Sequence, residues 1–166
     1  MSGRNPVVLG IDPGTAITGY GVVTEEGSTT LARAYGVIRT PANQPLPQRL
    51  VTIYAELNAL LDAYQPTAVA VEEVFFSKNA RTALSVGHAR GVVLLAVAQR
   101  SIPLFHYKPT QVKQAVTGYG GADKRQIQEM VRMLLGLDDI PRPDDAADAL
   151  AIALCHLHSA WTTTRY

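Results

Sequence analysis

Four acidic residues stand where their side chains could do chemistry. Asp12 closes the apolar run VVLGID, and Glu72 closes the run TAVAVE with Glu73 beside it. Because side chains alternate along a strand, only one of Glu72 and Glu73 can face a given side of a sheet. Asp145 and Asp148 are three residues apart, so they share a face if they lie on a helix. Buried elements seldom end in carboxylates without a reason, and this pattern indicates a site.

If these acids converge, electrostatic repulsion decides what the site must contain. Two carboxylates ~4 Å apart at an effective dielectric of about 20 repel each other by roughly 4 kcal/mol. Such a cluster needs protons or a divalent cation. An all-oxygen ligand set suits Mg²⁺ or Mn²⁺ and has little to attract zinc. Because carboxylate-bound Mg²⁺ keeps waters and engages substrate phosphates, the pattern predicts phosphoryl chemistry.

Each acid alone also has a simpler interpretation. Asp12 could form the turn at the following Pro-Gly pair, and Asp145 or Asp144 could cap a helix. Glu73 fits a solvated neighbour of the site better than a ligand. Asp148 is the hardest to explain in this way, because capping does not operate that far into a helix.

The elements that must position the acids follow from the spacing of apolar residues. The predicted strands cover residues 7–12, 18–24, 31–40, 67–72 and 102–107. The predicted helices cover residues 46–64, 80–100, 111–116, 123–135 and 145–160. The order βββαβαβααα implies an α/β protein with a mixed sheet and helices on its faces. No repeat or linker-like stretch interrupts it, so we expect one domain over residues 1–166.

Charge is distributed unevenly along the chain. The net charge is +1, but residues 74–125 carry eight basic residues and one acid, and the segments on either side each carry −3. A basic middle between acidic ends suits a polyanion held against a carboxylate site. Scattered, solvated charges explain the composition equally well.

Bulk properties predict an ordinary globular protein. Apolar residues make up 47% of the chain and charged residues 17%, the opposite of a disordered composition. No uninterrupted apolar run reaches the ~18 residues of a membrane span, and the N-terminus lacks the apolar stretch of a signal peptide. We therefore expect a cytoplasmic protein with no membrane partner.

Four segments together resemble one family. GIDPGTAITGYGV, VEEVFFSKNARTALSVGHARG, QVKQAVTGYGGADKRQIQEMV and DDAADALAIALCH occur in the order and spacing of the RuvC family of crossover (Holliday) junction endodeoxyribonucleases. The resemblance spans roughly residues 8–158. The first motif alone also fits actin-like ATPases, but the four together are highly specific.

The resemblance implies a ribonuclease-H-like fold, with three antiparallel strands followed by parallel strands and helices on both faces. The family's four catalytic and metal-binding acids fall on Asp12, Glu72, Asp145 and Asp148. They would hold two Mg²⁺ ions per subunit, with Mn²⁺ as a substitute. One ion would activate water for in-line attack, and the other would stabilise the leaving 3′ oxygen. The products would carry a 5′-phosphate and a 3′-hydroxyl.

The resemblance also assigns DNA contacts. Phe75 matches the aromatic residue that stacks on a base at the junction, and Lys113 and Lys124 match basic residues that reach phosphates near the scissile bond. Lys78 and Arg81 are further expected backbone contacts, which position DNA without reading its sequence.

Further implications concern assembly. Family members act in DNA recombination and repair as homodimers that make paired symmetric nicks, preferentially at TT-containing sites. They work with a branch-migration complex of the RuvA and RuvB type. Val86, Ala89 and Val93, beside Gly87 and Gly91, make the helix at 80–100 a candidate dimer interface.

Three other functions compete with this hypothesis. A related ribonuclease-H-like nuclease could act on another branched or RNA-containing substrate. A junction-binding module without catalysis would gain nothing from unneutralised buried acids. An actin-like ATPase fits only the first motif, since 166 residues are few for that two-lobed fold and no second phosphate loop is evident.

Overall fold

The structure is a computed structural model that describes residues 3–73 and 80–159. Two predicted DNA contacts, Phe75 and Lys78, lie outside the described residues. The strands are β1 (Val7–Asp12), β2 (Ile17–Glu26), β3 (Thr29–Arg39), β4 (Ala68–Glu72) and β5 (Leu104–Tyr107). The helices are α1 (Leu46–Tyr64), α2 (Ala80–Gln99), α3 (Pro109–Thr117), α4 (Lys124–Leu134) and α5 (Asp144–Ser159).

The five strands form one mixed sheet in the order β3-β2-β1-β4-β5. β1, β2 and β3 pair antiparallel, whereas β4 is parallel to β1 and β5 is parallel to β4. Helices α1 and α2 pack on one face of the sheet, and α3, α4 and α5 pack on the other. The predicted α/β fold, a mixed sheet covered on both faces, is confirmed.

Element bounds differ from the prediction where main-chain geometry overrides composition. The β2–β3 hairpin continues through polar residues to Glu26 and Thr29, and Gly27 turns the chain with φ 63°. β5 begins at Leu104 rather than residue 102, because Ile102 still donates a hydrogen bond to the Val97 carbonyl at the end of α2.

Helices bury both faces of the sheet. β1 shows no polar alternation, since helices cover both of its sides. On the α1 and α2 side, Leu57 and Leu61 of α1 pack with Val93 and Val97 of α2. On the other side, the residues of α5 from 146 to 156 are buried except Asp148, which is partly exposed.

Helix α2 buries one side only. Ala89 and Val93 have no exposed surface, so their predicted place in a dimer interface is wrong. Leu84 and Leu95, on another side of the helix, are 62% and 54% exposed. By length and composition α2 could cross a membrane, with 22% of its most apolar stretch buried, but a single such helix is weak evidence for a span.

Glycines let α5 lie very close to the sheet. A Cβ atom added at Gly10 of β1 would lie 2.1 Å from the main-chain oxygen of Ala149, and one at Gly21 of β2 would lie 2.7 Å from the Leu150 side chain. Side chains at these positions would lift α5 away. The glycines therefore set how near the first turns of α5 come to the end of β1.

Candidate metal centre

Three carboxylates meet where β1 ends beneath the start of α5. Asp12 is the last residue of β1, and Asp145 and Asp148 lie in the first turns of α5. One carboxylate oxygen from each lies within 4.8 Å of the others. The predicted convergence of these acids is confirmed, and their oxygens are close enough together to share a metal ion.

Burial and mutual repulsion make this cluster costly when it is fully charged. Burial raises the pKa of Asp12 to about 7, and the charges of Asp148, Asp145 and Glu72 add to the effect. Burial also raises the pKa of Asp148, which Lys124 partly offsets and Asp145 reinforces. Such a group of carboxylates binds either protons or cations.

Glu72 borders the cluster without joining the set of three. It ends β4 and lines the same cavity as Asp148. Burial raises its pKa and the charge of Asp148 raises it further, whereas Lys113 lowers it. The structure therefore brings three of the four predicted acids together and places the fourth at the edge of the cavity.

The neighbouring acids Glu73 and Asp144 have other partners. The Glu73 carboxylate lies 3.1 Å from Nε2 of His106 on β5, and its side chain is only 28% exposed. Glu73 therefore lies outside the set of three acids, as expected, but it is paired and partly buried rather than freely solvated. Asp144 lies 3.3 Å from the Lys124 ammonium and accepts a hydrogen bond from Gln128.

Two lysines that were predicted to contact DNA phosphates, Lys113 and Lys124, border the acids. The side chain of Asp123 caps α4 by accepting a hydrogen bond from the backbone of Gln126, which places Lys124 at the first position of the helix. The Lys124 ammonium lies 3.8 Å from the Asp148 carboxylate. Lys113 of α3 lines the same cavity of about 250 Å³ as Lys124 and Asp148.

A second, larger opening also has Lys124 in its lining. It has a volume of about 960 Å³, and its lining includes Asp145, Arg125, Gln128 and Arg142. Both arginines are exposed. Arg125, Gln128 and Arg142 were not among the predicted site residues; the nearest signals in the sequence are that Arg125 follows Lys124 and that Arg142 comes just before the acids of α5.

The remaining predicted contact, Arg81, lies in the first turn of α2 and is exposed. It does not belong to the lining of either cavity beside the acids in the part of the chain that the structure describes. The geometry therefore groups Lys113 and Lys124 with the acids, and Arg81 stays a prediction.

The sheet order, the helices on both faces and the acids at the end of β1 and the start of α5 define a ribonuclease-H-like nuclease. The yeast mitochondrial Holliday junction resolvase shares this fold with a TM-score of 0.63 at 17% identity, covering 95% of this chain and 82% of that one. That likeness shows the fold alone.

Closer similarity identifies the family. The profile described as "Crossover junction endodeoxyribonuclease RuvC" matches residues 8–156. A protein of that description from Chloroflexus aggregans is 60% identical over 158 residues, covering 95% of this chain and 96% of the relative. The chain belongs to the RuvC family and is an endonuclease.

A solved structure agrees over nearly the full chain. The structure of Thermus thermophilus RuvC in complex with a Holliday junction substrate superposes with a TM-score of 0.93 at 41% identity. It covers 97% of this chain and 99% of that chain.

Proposed function

We propose that this protein is a Holliday junction resolvase that makes paired symmetric nicks in four-way DNA junctions during homologous recombination and DNA repair. The products carry a 5′-phosphate and a 3′-hydroxyl. The observation that carries the proposal is the set of Asp12, Asp145 and Asp148 oxygens within 4.8 Å of one another, with lysines beside them. The RuvC family match over residues 8–156 supports the substrate.

The proposed ligands are the four acids Asp12, Glu72, Asp145 and Asp148. Their all-oxygen donor set and the raised pKa of Asp12 fit a hard divalent cation. We assign them two Mg²⁺ ions per subunit, with Mn²⁺ as a substitute. Bound ions of this kind supply Lewis-acid stabilisation of the negative charge that develops during phosphodiester hydrolysis.

The basic residues place the DNA backbone against the acids. Lys124 lines both openings, so a strand that passes from one to the other crosses the acid cluster beside its ammonium group. Lys113 lines the smaller opening, and Arg125 and Arg142 line the larger one. Each can neutralise a phosphate, which holds the scissile bond in position without reading sequence.

Further DNA contacts follow from the family resemblance. We propose that Phe75 stacks on a base at the junction and that Lys78 and Arg81 contact the backbone. The position of Phe75, three residues after Glu72, supports the stacking role. The net +7 charge of residues 74–125 supports the backbone contacts.

We propose that the active form is a homodimer that pairs through α2. Leu84 and Leu95 are more than half exposed, and Gly87 and Gly91 have open space around them. Successive positions in this set are three or four residues apart, so the four residues form one stripe along the helix. A second copy of α2 could approach closely at the glycines and cover the leucines.

Three broader assignments complete the proposal. Residues 1–166 form one nuclease domain, which is supported by the family match over most of the chain. The protein works with a branch-migration complex of the RuvA and RuvB type, as the family resemblance implies. A DNA substrate also fits a cytoplasmic location.

The test is cleavage of a synthetic mobile four-way junction beside linear duplexes of the same sequences, with Mg²⁺ and with EDTA. Paired symmetric nicks in the junction alone, lost in EDTA, are the expected result. Tight junction binding without nicks in Mg²⁺ or Mn²⁺ would indicate a binding module. Equal cutting of both substrates would support metal-dependent nuclease activity but contradict the four-way junction as the specific substrate.

An actin-like ATPase is tested separately by thermal unfolding with ATP and with Mg²⁺. Ligands that bind the folded chain raise its melting temperature. Stabilisation by Mg²⁺ without an ATP-specific increase is expected.

A further inference from the structure

The peptide group between Glu72 and Glu73 is held from both ends. Its carbonyl oxygen, from Glu72, accepts a hydrogen bond from Nη1 of Arg90 on α2 at 2.5 Å. Its N–H, from Glu73, donates to the carbonyl oxygen of Tyr107 on β5 at 2.7 Å. Rotation of this peptide would therefore break contacts with two different elements.

Tyr107 is itself well anchored. Its hydroxyl forms a 2.6 Å hydrogen bond with Nδ1 of His156 on α5, and its side chain is 2% exposed. In the β4–β5 register Glu72 lies beside Tyr107, and aligned side chains of parallel neighbours share a face of the sheet. The Glu72 side chain therefore lies on the α5 side, with the acid cluster.

Glu73 lies on the opposite side and holds Arg90 electrostatically. Its carboxylate is 3.1 Å from Nε2 of His106. Burial lowers the pKa of the Arg90 guanidinium, and the charge of Glu73 acts in the opposite direction. Glu73 thus stabilises the half-buried Arg90 guanidinium, which contacts the carbonyl oxygen of the preceding residue, Glu72.

Glu72 needs such support because β4 ends there. Beyond the last residue of a strand the sheet no longer fixes the chain, so the peptide that follows Glu72 could turn and carry the carboxylate with it. The hydrogen bonds from Arg90 and to Tyr107 oppose that movement.

We propose that Arg90 is a positioning residue for Glu72, held by Glu73, and that it presents the Glu72 carboxylate to a divalent cation at the acid cluster. The inference rests on the metal site of the proposed function. Arg90 touches neither the cation nor the reacting phosphate in this account; it acts only through the peptide that follows Glu72.

The decisive variant is Arg90→Met, which keeps an unbranched side chain and removes the donors. Residues that orient metal ligands typically affect metal affinity by ~10–100-fold. We expect Mn²⁺ binding to the DNA-free protein, followed by electron paramagnetic resonance, to weaken about 10-fold. The Mg²⁺ concentration for half-maximal cleavage should rise by a similar factor, while junction affinity in EDTA stays unchanged.

Two further variants separate positioning from a general loss of structure. Arg90→Lys keeps a donor for the Glu72 carbonyl and should recover most of the Mn²⁺ affinity. Glu73→Gln removes the charge that holds Arg90, so it should weaken Mn²⁺ binding in the same direction, by about 3-fold, below the range for direct orienting contacts. Combining Glu73→Gln with Arg90→Met should weaken binding no further than Arg90→Met alone, because both act through one contact.

The matched control is Arg100→Met. Arg100 follows α2 and pairs with Asp62 at 2.5 Å, away from the acids, so its loss should leave Mn²⁺ affinity unchanged. If Arg90→Met does not fold, Glu73→Gln carries the test, and unchanged Mn²⁺ affinity in that variant overturns the proposal.

Two other results would overturn the proposal. A lower melting temperature of Arg90→Met with wild-type Mn²⁺ affinity would reduce Arg90 to a fold-stabilising residue. Lost junction binding in EDTA with wild-type Mn²⁺ affinity would make it a DNA contact. Asp148→Asn in the same titration tests the metal site itself: wild-type Mn²⁺ affinity there would refute the proposed site independently of Arg90.

Discussion

Gly19 of β2 lies directly beneath Asp145 of α5: a Cβ atom added at Gly19 would stand 2.0 Å from the Asp145 main-chain oxygen. In the β1–β2 register, Gly19 is also the partner of Asp12. Because Gly19 has no side chain, the start of α5 can lie close to β2, beside the Asp12 carboxylate of β1. This close approach brings Asp145 to Asp12 across the space that a cation would occupy.

Gly19→Ala should therefore damage the site through the position of α5. Because the clash is with backbone, the helix must shift, and overpacking of this kind costs about 1–3 kcal/mol. We expect a lower melting temperature and a weaker response of cleavage to Mg²⁺. Gly120→Ala is the control, since its Cβ would meet nothing closer than 3.8 Å. Wild-type Mg²⁺ dependence in Gly19→Ala would show that the close approach is not needed.

Asp12→Asn should stabilise the metal-free protein at pH 8. Burial raises the pKa of Asp12 from 3.8 to about 7, so the folded chain binds this proton more tightly than the unfolded chain. Its contribution to stability is therefore lost as the pH rises from about 4 to about 7, and the charged form costs a few kcal/mol above that range. Melting in EDTA across this range should show a flatter profile in the variant.

The comparison variant for this prediction is Asp62→Asn. Asp62 is exposed, and its hydrogen bond with Arg100 lowers its pKa, so its replacement should not stabilise the protein at pH 8. Saturating Mg²⁺ should reverse the advantage of Asp12→Asn, because the wild type gains binding energy from a ligand that the variant lacks. A wild type more stable than Asp12→Asn in EDTA at pH 8 would contradict the assigned electrostatics.

The arginines of the larger opening should contribute to the salt dependence of junction binding. The logarithm of the binding constant falls with the logarithm of salt concentration by about 0.9 per neutralised phosphate. Arg142→Gln and Arg125→Gln should each reduce that slope by up to this amount. Arg33→Gln is the control, because Arg33 lies over the Tyr64 ring at 5.8 Å, outside both openings. Unchanged slopes in both variants would exclude DNA from this opening.

Leu95→Asp should separate the proposed dimer. Leu95 is 54% exposed on α2, and a charge there would be buried without a partner if a second α2 covers it. Sedimentation should show a monomer, and junctions should receive single rather than paired nicks. Val51→Asp places the same charge at an exposed apolar position of α1 and should leave the dimer intact. A dimeric Leu95→Asp would exclude this face as the interface.

Much of the site could be predicted because it depends on local spacing. Asp145 and Asp148, three residues apart, were expected on one helix face, and the family resemblance implied that Asp12 joins them; all three meet. Strand alternation predicted that Glu72 and Glu73 would face opposite sides. It could not tell that Glu73 would be paired rather than solvated, since His106 belongs to a strand distant in sequence.

Other features depend on tertiary packing that sequence periodicity does not report. A glycine within a strand is compatible with a bulge, a bend or a close approach. The close contact of α5 with Gly10 and Gly19 could therefore not be predicted. Unknown tertiary packing also explains why Ala89 and Val93 of α2 were wrongly predicted to lie in a dimer interface. Ala89 and Val93 are apolar, as are the exposed leucines, and only the packing of the folded chain shows which side of α2 is buried.

Asp148→Asn gives the most direct test of the central claim that the acid cluster carries out junction cleavage. Single-turnover cleavage of a four-way junction in Mg²⁺ should fall by at least ~100-fold, the upper end of the range for residues that orient metal ligands, because here a ligand in the set of three is itself lost. Junction affinity in EDTA should stay within about 2-fold of wild type, since phosphate contacts rather than the acids dominate binding. Cleavage at the wild-type rate would remove Asp148 from the site and contradict the account.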